Sequence, residues 1–247
     1  ALQGRLDTRS EAYGIELRCD SFPLNSFLPA DSLGLLDLAL QAGGSGFDPL
    51  RAQTRGNIRL QVDRAEFRGR DFGGVKLNAN LEGGQLSGRL SDRDEALRLL
   101  LLISGTLTER KQEVRLTGNV FDFDLAELGI SPQKIGGSFA LEAGASASDA
   151  GSYTARIALD SIEVRTRHRT DRIRPTSLSL SSDTTATRAK LASGDLSLAF
   201  VSPGPVDSLV PALTRSTDIL AQQIRAQSVD MEALKPALPD FSLSVTA

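Results

Sequence analysis

Apolar and polar residues alternate along most of the chain. The segments 58–62, 75–81 and 114–120 each place apolar residues at every second position. A period of two residues is typical of strands with one buried face. Glycine pairs such as 43–44 and 73–74 end several of these runs and predict short turns. The sequence therefore predicts an all-β chain of about a dozen strands, arranged as an elongated, curved antiparallel sheet with short helices.

Helical spacing is found over one longer segment, about 207–227. Leu209, Leu213, Leu220 and Ile224 recur there at intervals that place them on one side of a helix. The segment therefore predicts one amphipathic helix, which would lie across or cap the sheet.

An internal repeat of about 100 residues runs along the chain. The segments 22–27, 123–128 and 229–234 each carry apolar residues at their first, third and sixth positions, and a proline and an alternating run follow each of them. Stacked units of this size are typical of repeat architectures. We expect a single elongated assembly with approximate repeats at 20–120 and 121–228 and a third, truncated one at 229–247.

Two strands of the repeat change their apolar phase at the same place. Residues 60–67 resemble residues 157–164, and in each the apolar positions slip by one residue. Because such a slip would turn the following side chains to the other face, it predicts a β-bulge or sharp bend at Asp63–Arg64 and at Asp160–Ser161.

The apolar residues are mostly aliphatic. Aromatic residues make up 5% of the chain and tryptophan is absent. A single layer of such strands would expose aliphatic surface suited to acyl chains, whereas a closed sandwich or barrel would pack the same residues on each other, and periodicity does not choose between the two. The candidate groove-lining residues are Ile58, Leu60, Val62, Leu77, Leu81, Leu99, Leu101, Ile103, Val114, Leu116, Phe139, Leu141, Ile157, Leu159, Leu198 and Phe200.

The charge balance argues against a dedicated nucleic-acid binder. The chain has 28 Lys and Arg against 31 Asp and Glu, a net charge of −3, whereas nucleic-acid binders carry a basic footprint. One local basic run predicts a charged hairpin tip or strand edge, with contact to phosphates or lipid headgroups as the alternative. It consists of Arg165, Arg167, His168, Arg169, Arg172 and Arg174.

Residues suited to catalysis or metal binding are sparse. The chain has a single cysteine, Cys19, interpreted as a strand residue, and a single histidine, His168. No nucleophile elbow or phosphate loop occurs. The acidic pairs Asp92/Asp94 and Asp122/Asp124 are interpreted as solvated loop carboxylates. We therefore expect no catalytic residue, no metal site and no cofactor, and a protein that is not an enzyme.

No segment approaches the roughly 20 apolar residues of a membrane span, since the longest apolar run is Leu99–Ile103. The sequence also lacks an initiator methionine and a signal peptide. We expect a fragment of a larger extracytoplasmic protein, with its targeting and anchoring signals elsewhere.

Several segments resemble one known family. Residues 22–29, 43–49, 56–62 and 74–81 look like the AsmA-like and TamB superfamily of bacterial envelope proteins, in particular its TamB-like members of Bacteroidetes, and 120–129 repeats the pattern. The resemblance implies a repeating β-groove in the periplasm of a protein anchored in the inner membrane. It also implies phospholipid transport for outer-membrane biogenesis, and no catalytic residue.

Two alternatives to a lipid groove stay open. The resemblance to TamB, a component of a translocation and assembly module, also allows a scaffold for outer-membrane protein assembly with an Omp85-type barrel as partner. From the residues alone, a surface β-repeat module for adhesion would bind protein or glycan through its polar side.

Overall fold

The computed structural model describes residues 1–26, 33–67, 69–148, 151–225, 230, 232 and 240–246. Sixteen strands in this part of the chain form one antiparallel sheet, in the order β1-β2-β3-β4-β6-β7-β8-β9-β10-β11-β13-β14-β15-β16. The short strands β5 and β12 pair only with β4 and β11. The strands are β1 (Leu2–Asp7), β2 (Ala12–Pro23), β3 (Leu33–Ser45), β4 (Arg55–Phe67), β5 (Arg70–Phe72), β6 (Val75–Glu82), β7 (Gln85–Arg93), β8 (Leu97–Leu107), β9 (Lys111–Asp124), β10 (Gly136–Ser148), β11 (Tyr153–Arg165), β12 (Thr170–Ile173), β13 (Thr176–Ser182), β14 (Ala186–Ser193), β15 (Leu196–Pro203) and β16 (Ser242–Thr246).

The predicted all-β class is confirmed. In β6, half-buried and exposed residues alternate without a break, because successive side chains of a strand point to opposite faces. The number of strands exceeds the predicted dozen. Strands such as β5 and β12 have three and four residues, too few for alternation to be recognised in sequence.

Tight turns join neighbouring strands. Gly83 and Gly84 connect β6 to β7 with φ angles of 58° and 74°. Two-residue hairpin turns with positive φ at both positions match the twist of the strands they join, and glycine adopts these angles without steric cost. The hairpin therefore fixes the register in which Leu81 opposes Leu86.

β-Bulges occur where the apolar phase slips. Leu38 pairs with Val62 and Asp37 pairs with Arg64, which leaves Asp63 as the extra residue of β4. The bulge predicted at this position is confirmed. At the second predicted position, Ser161 has a φ of 50°, in the left-handed region that bends a strand. A further bulge in β2, at Ser21, was not predicted.

The chain divides into two compact units. Unit 1 comprises Ala1–Gly144 and Ala158–Pro175, and unit 2 comprises Ala145–Ile157 and Thr176–Ala247. A 20-residue helix, α1 (Val206–Arg225), belongs to unit 2 and spans most of the segment with helical spacing. The side chains of Leu213, Leu220 and Ile224, positions 226–227 and most of the third predicted repeat lie outside the described residues.

A row of buried hydroxyl groups attaches the start of α1 to the sheet of unit 2. Ser182, Thr187 and Ser202 oppose one another on β13, β14 and β15 and are almost fully buried. The Val206 N–H donates to Ser182 Oγ over 2.8 Å, and Thr187 Oγ1 donates to the Gly204 carbonyl over 3.0 Å. Because buried hydroxyls are costly unless they are bonded, this row fixes where the helix begins.

Among the described residues, no helix combines the length and the apolar character needed to span a membrane.

Candidate functional site

A central row of aliphatic side chains crosses unit 1 from strand to strand. In an antiparallel pair, residues directly opposite each other project from the same face of the sheet. Seven of the eight residues in this row are leucines, so it presents branched alkyl groups without a polar interruption. The row consists of Leu2, Leu17, Leu40, Leu60, Leu77, Leu90, Leu101 and Gly118.

Two further rows flank the central one, and we call the three rows together the apolar face. Neighbouring strands are about 4.8 Å apart and every second residue of a strand is about 6.7 Å further along, so the face measures roughly 33 Å by roughly 13 Å. The flanking rows are Gly4, Ile15, Ala42, Ile58, Ala79, Gly88, Ile103 and Leu116, and Leu6, Tyr13, Gly44, Gly56, Leu81, Leu86, Gly105 and Val114.

The structure brings most of the candidate lining residues together. Val62 and Leu99 extend the same side of the sheet beyond the three rows, since Val62 opposes Leu38 and Leu99 opposes Val120. The candidates inside the rows are Ile58, Leu60, Leu77, Leu81, Leu101, Ile103, Val114 and Leu116.

The other candidates lie in β10, β11 and β15. The Phe139 ring of β10 packs against Phe123, with ring centroids 6.0 Å apart. Leu141 and Leu159 are half-buried, and Ile157 is exposed. Their role as lining residues stays a prediction.

Unit 2 carries a smaller apolar surface of its own, which includes the last two candidates. Leu198 of β15 opposes Leu191 and Val245, and Phe200 opposes Ala189 and Leu243. The ring of Phe200 also stacks on Phe241 with centroids 5.4 Å apart.

The apolar face is only partly covered by the described part of unit 1. Leu2 is 72% exposed, Leu6 65% and Ile58 44%, whereas Leu101 is 5% exposed. Large apolar side chains exposed in one continuous patch are typical of an interaction surface. Sequence reasoning missed Leu2 and Leu6, although the same alternation is present in β1.

The opposite side of the sheet is polar. Glu16, Gln41, Arg59 and Asn78 oppose one another across β2, β3, β4 and β6. Leu102 of β8 is an exception, because it lies on this side and is 52% exposed. The two sides of the sheet are therefore chemically distinct over most of unit 1.

The interpretation of the acidic pairs as solvated carboxylates is wrong for Asp92. Its carboxylate lies on the same side as the apolar face, opposite Leu99, and is 9% exposed. Burial raises the pKa of Asp92 above its ordinary value, while the Asp94 N–H, which donates to Asp92 Oδ1 over 2.9 Å, acts in the opposite direction. Asp94 in turn accepts hydrogen bonds from the N–H groups of Gly73 and Ala96.

The second acidic pair is also engaged within the fold. Asp122 accepts hydrogen bonds from the guanidinium groups of Arg98 and Arg165. Asp124 accepts the N–H groups of Ala126 and Glu127 at the turn that follows β9. These carboxylates therefore stabilise strand ends. No group of three or more His, Cys, Asp or Glu side chains arranged to hold a metal ion occurs among the described residues.

Comparison of the chain with protein-family models, with curated proteins and with solved structures gives no match.

Proposed function

We propose that this chain is a segment of an envelope protein that holds or conducts phospholipid acyl chains along the apolar face. The observation that carries the proposal is the continuous central row, in which leucines cross seven strands beside side chains that remain exposed to solvent. The resemblance to AsmA-like and TamB-like proteins supports a periplasmic location and a role in outer-membrane biogenesis.

The size of the apolar face suits this ligand. Its length of roughly 33 Å is comparable to the hydrocarbon core of a bilayer, about 30 Å, in which two acyl chains meet end to end. Each methylene that leaves water contributes about 0.8 kcal/mol and needs no directional partner. A face of leucine, isoleucine and glycine therefore provides binding energy without holding the acyl chain at one fixed position along the face. Conduction of the lipid requires this freedom to move.

The test compares two exposed aliphatic residues on opposite sides of the sheet. Ile58→Asp places a carboxylate on the apolar face, and Leu102→Asp places one on the polar side, where the side chain is equally accessible. Because both residues are exposed, both variants should keep the wild-type circular dichroism spectrum. Binding of an anthroyloxy-labelled stearate, together with mass spectrometry of lipids that co-purify without detergent, reports the occupancy.

We expect Ile58→Asp to weaken stearate binding about tenfold or more, because a desolvated carboxylate beside the chain costs at least about 1.4 kcal/mol. Leu102→Asp should bind as the wild type does. Equal affinities in the two variants, or no saturable stearate binding by the wild type, would contradict the proposal.

A further inference from the structure

A cation-lined cavity lies in unit 1 where the turn before β10 meets the turn between β11 and β12. Its volume is about 390 Å³, within the range of small-molecule sites. Lys134, Arg167 and His168 contribute to its lining, and no carboxylate does. An adjoining cavity of about 530 Å³ shares Lys134, Thr166 and Arg167 with it.

The surrounding charges leave two cations available to a ligand. Arg165 pairs with Asp122, and Arg169 Nε lies 2.8 Å from Asp171 Oδ2. By contrast, Lys134 Nζ is 4.0 Å from its nearest carboxylate oxygen, the limit of an ion pair. The side chain of Arg167 forms no ion pair within the described part of the chain. Lys134 and Arg167 therefore combine positive charge with unused N–H donors at the cavity wall.

The turn that carries Arg167 is held in place by its own hydrogen bonds. Thr166 N–H donates to the Arg169 carbonyl over 2.8 Å, and Thr166 Oγ1 accepts the N–H groups of His168 and Arg169 over 3.4 and 3.3 Å. A ligand would lose less conformational entropy on binding to a fixed turn than on ordering a mobile one.

Four carboxylates line the adjoining cavity, and two of them, Asp122 and Glu127, are neutralised by arginines. Asp122 is shared between Arg98 and Arg165, and Glu127 Oε2 lies 2.9 Å from Arg70 Nη1. The other two are Glu95 and Asp124, of which Asp124 is the carboxylate near Lys134. Repulsion of an anion is therefore reduced in part, and none of the four carboxylates lines the cation-lined cavity itself.

We propose that this cavity binds a phosphate group, with Lys134 and Arg167 as its charged ligands. An arginine fork can contact two phosphate oxygens at once and a lysine supplies a point charge, the two modes by which proteins recognise phosphate. The phosphate can belong to a lipid headgroup or to a soluble ion. The proposal goes beyond acyl-chain binding and does not depend on it, since none of these residues lies on the apolar face.

The test uses two double variants of equal charge. Lys134→Gln with Arg167→Gln alters the cavity, and Arg59→Gln with Lys76→Gln removes the same charge from exposed positions on β4 and β6. Inorganic phosphate is titrated at constant ionic strength while the backbone amides of 166–169 are followed by NMR. We expect a saturable response that the cavity variant weakens at least about tenfold and the control variant leaves within about twofold.

The absence of a saturable response, or an equal loss in the control variant, would overturn the proposal in favour of diffuse attraction.

A second arm identifies the source of the phosphate. Flotation with phosphatidylcholine vesicles, with and without phosphatidic acid, should show binding that requires phosphatidic acid and is lost in the cavity variant if a headgroup is the ligand. Vesicle binding unaffected by the variant would assign the cavity to soluble phosphate. Stearate binding measured on the same variant should be unchanged, which separates this site from the apolar face.

Discussion

Truncation of neighbouring leucines in β8 tests the assignment of the two sides of the sheet. Leu101 and Leu102 belong to one strand, so the change to alanine alters strand propensity by a similar amount at both positions. Leu101 is 5% exposed on the apolar face, whereas Leu102 is 52% exposed on the polar side. The difference between the two variants therefore isolates the contribution of burial.

The magnitudes follow from the exposed fractions. Leu→Ala removes three carbons, which at about 0.8 kcal/mol each gives about 2.4 kcal/mol for a fully buried side chain, and the cavity left behind raises the loss to about 3 kcal/mol or more. For Leu102 the transfer contribution is halved and no cavity forms, so we expect a loss of about 1 kcal/mol. Leu101→Ala should thus lower the free energy of unfolding by about 2 kcal/mol more than Leu102→Ala.

Urea unfolding followed by far-ultraviolet circular dichroism measures this difference, with the transition of unit 1 fitted separately if the two units unfold at different concentrations. The m-value should stay the same in both variants. Equal losses, or a larger loss for Leu102→Ala, would refute the assignment of the buried and exposed sides of β8.

Three further predictions concern stability. Gly105→Ala should lower the free energy of unfolding by about 1 to 3 kcal/mol, because the added Cβ would collide with the Glu113 carbonyl. Gly14→Ala has no atom near the added Cβ, so it should leave the free energy of unfolding unchanged or slightly higher in the same urea assay. Asp92→Asn should be more stable than the wild type at pH 7 and equally stable below pH 3.8, because a carboxyl whose pKa is raised by folding weakens the fold as pH rises through that raised value. Asp183→Ala should be less stable than the wild type at pH 7, because hydrogen bonds from Thr185 and Ala186 lower the pKa of the Asp183 carboxyl to about 2. This stability difference should shrink as pH falls from 3.8 towards 2, because the carboxylate becomes protonated in the folded protein. Thermal unfolding measured over a range of pH would detect the effects of the Asp92 and Asp183 variants, and stability differences that do not change with pH would contradict them.

Features encoded within one strand could be predicted from the sequence. The alternation in 75–82 gives both the strand and its half-buried side, and the phase slip at Asp63 gives the bulge. A similar slip between Cys19 and Phe22 marks the bulge at Ser21, so that feature was within reach of the same reasoning.

Features that depend on pairing between distant strands could not be predicted. Asp92 stands in the polar segment Ser-Asp-Arg-Asp, which is typical of a solvated turn, and its burial depends on the neighbouring strand β8, where Leu99 lies opposite it. The contact between Asp122 and Arg165 joins residues 43 positions apart. The contact requires β9, β10 and β11 to lie side by side in this order. Gly136 of β10 lies close to Arg165 and has no side chain there.

Burial is distributed unevenly over the apolar face, and this separates the part that stabilises the fold from the part that is accessible to a ligand. Leu101 of β8 is buried, as is Val120, which lies on the same side of the sheet just beyond the three rows, whereas Leu2, Leu6 and Ile15 on β1 and β2 are exposed by 45% or more. A polar substitution on β8 would therefore remove folding energy together with any ligand site. The same substitution on β1 or β2 removes little packing, so a loss of acyl-chain binding there can be attributed to the ligand. A closed core in which the leucines pack on each other would bury these side chains, whereas here they are exposed to solvent. Substitutions on β1 and β2 are therefore the most direct test of the lipid-binding proposal.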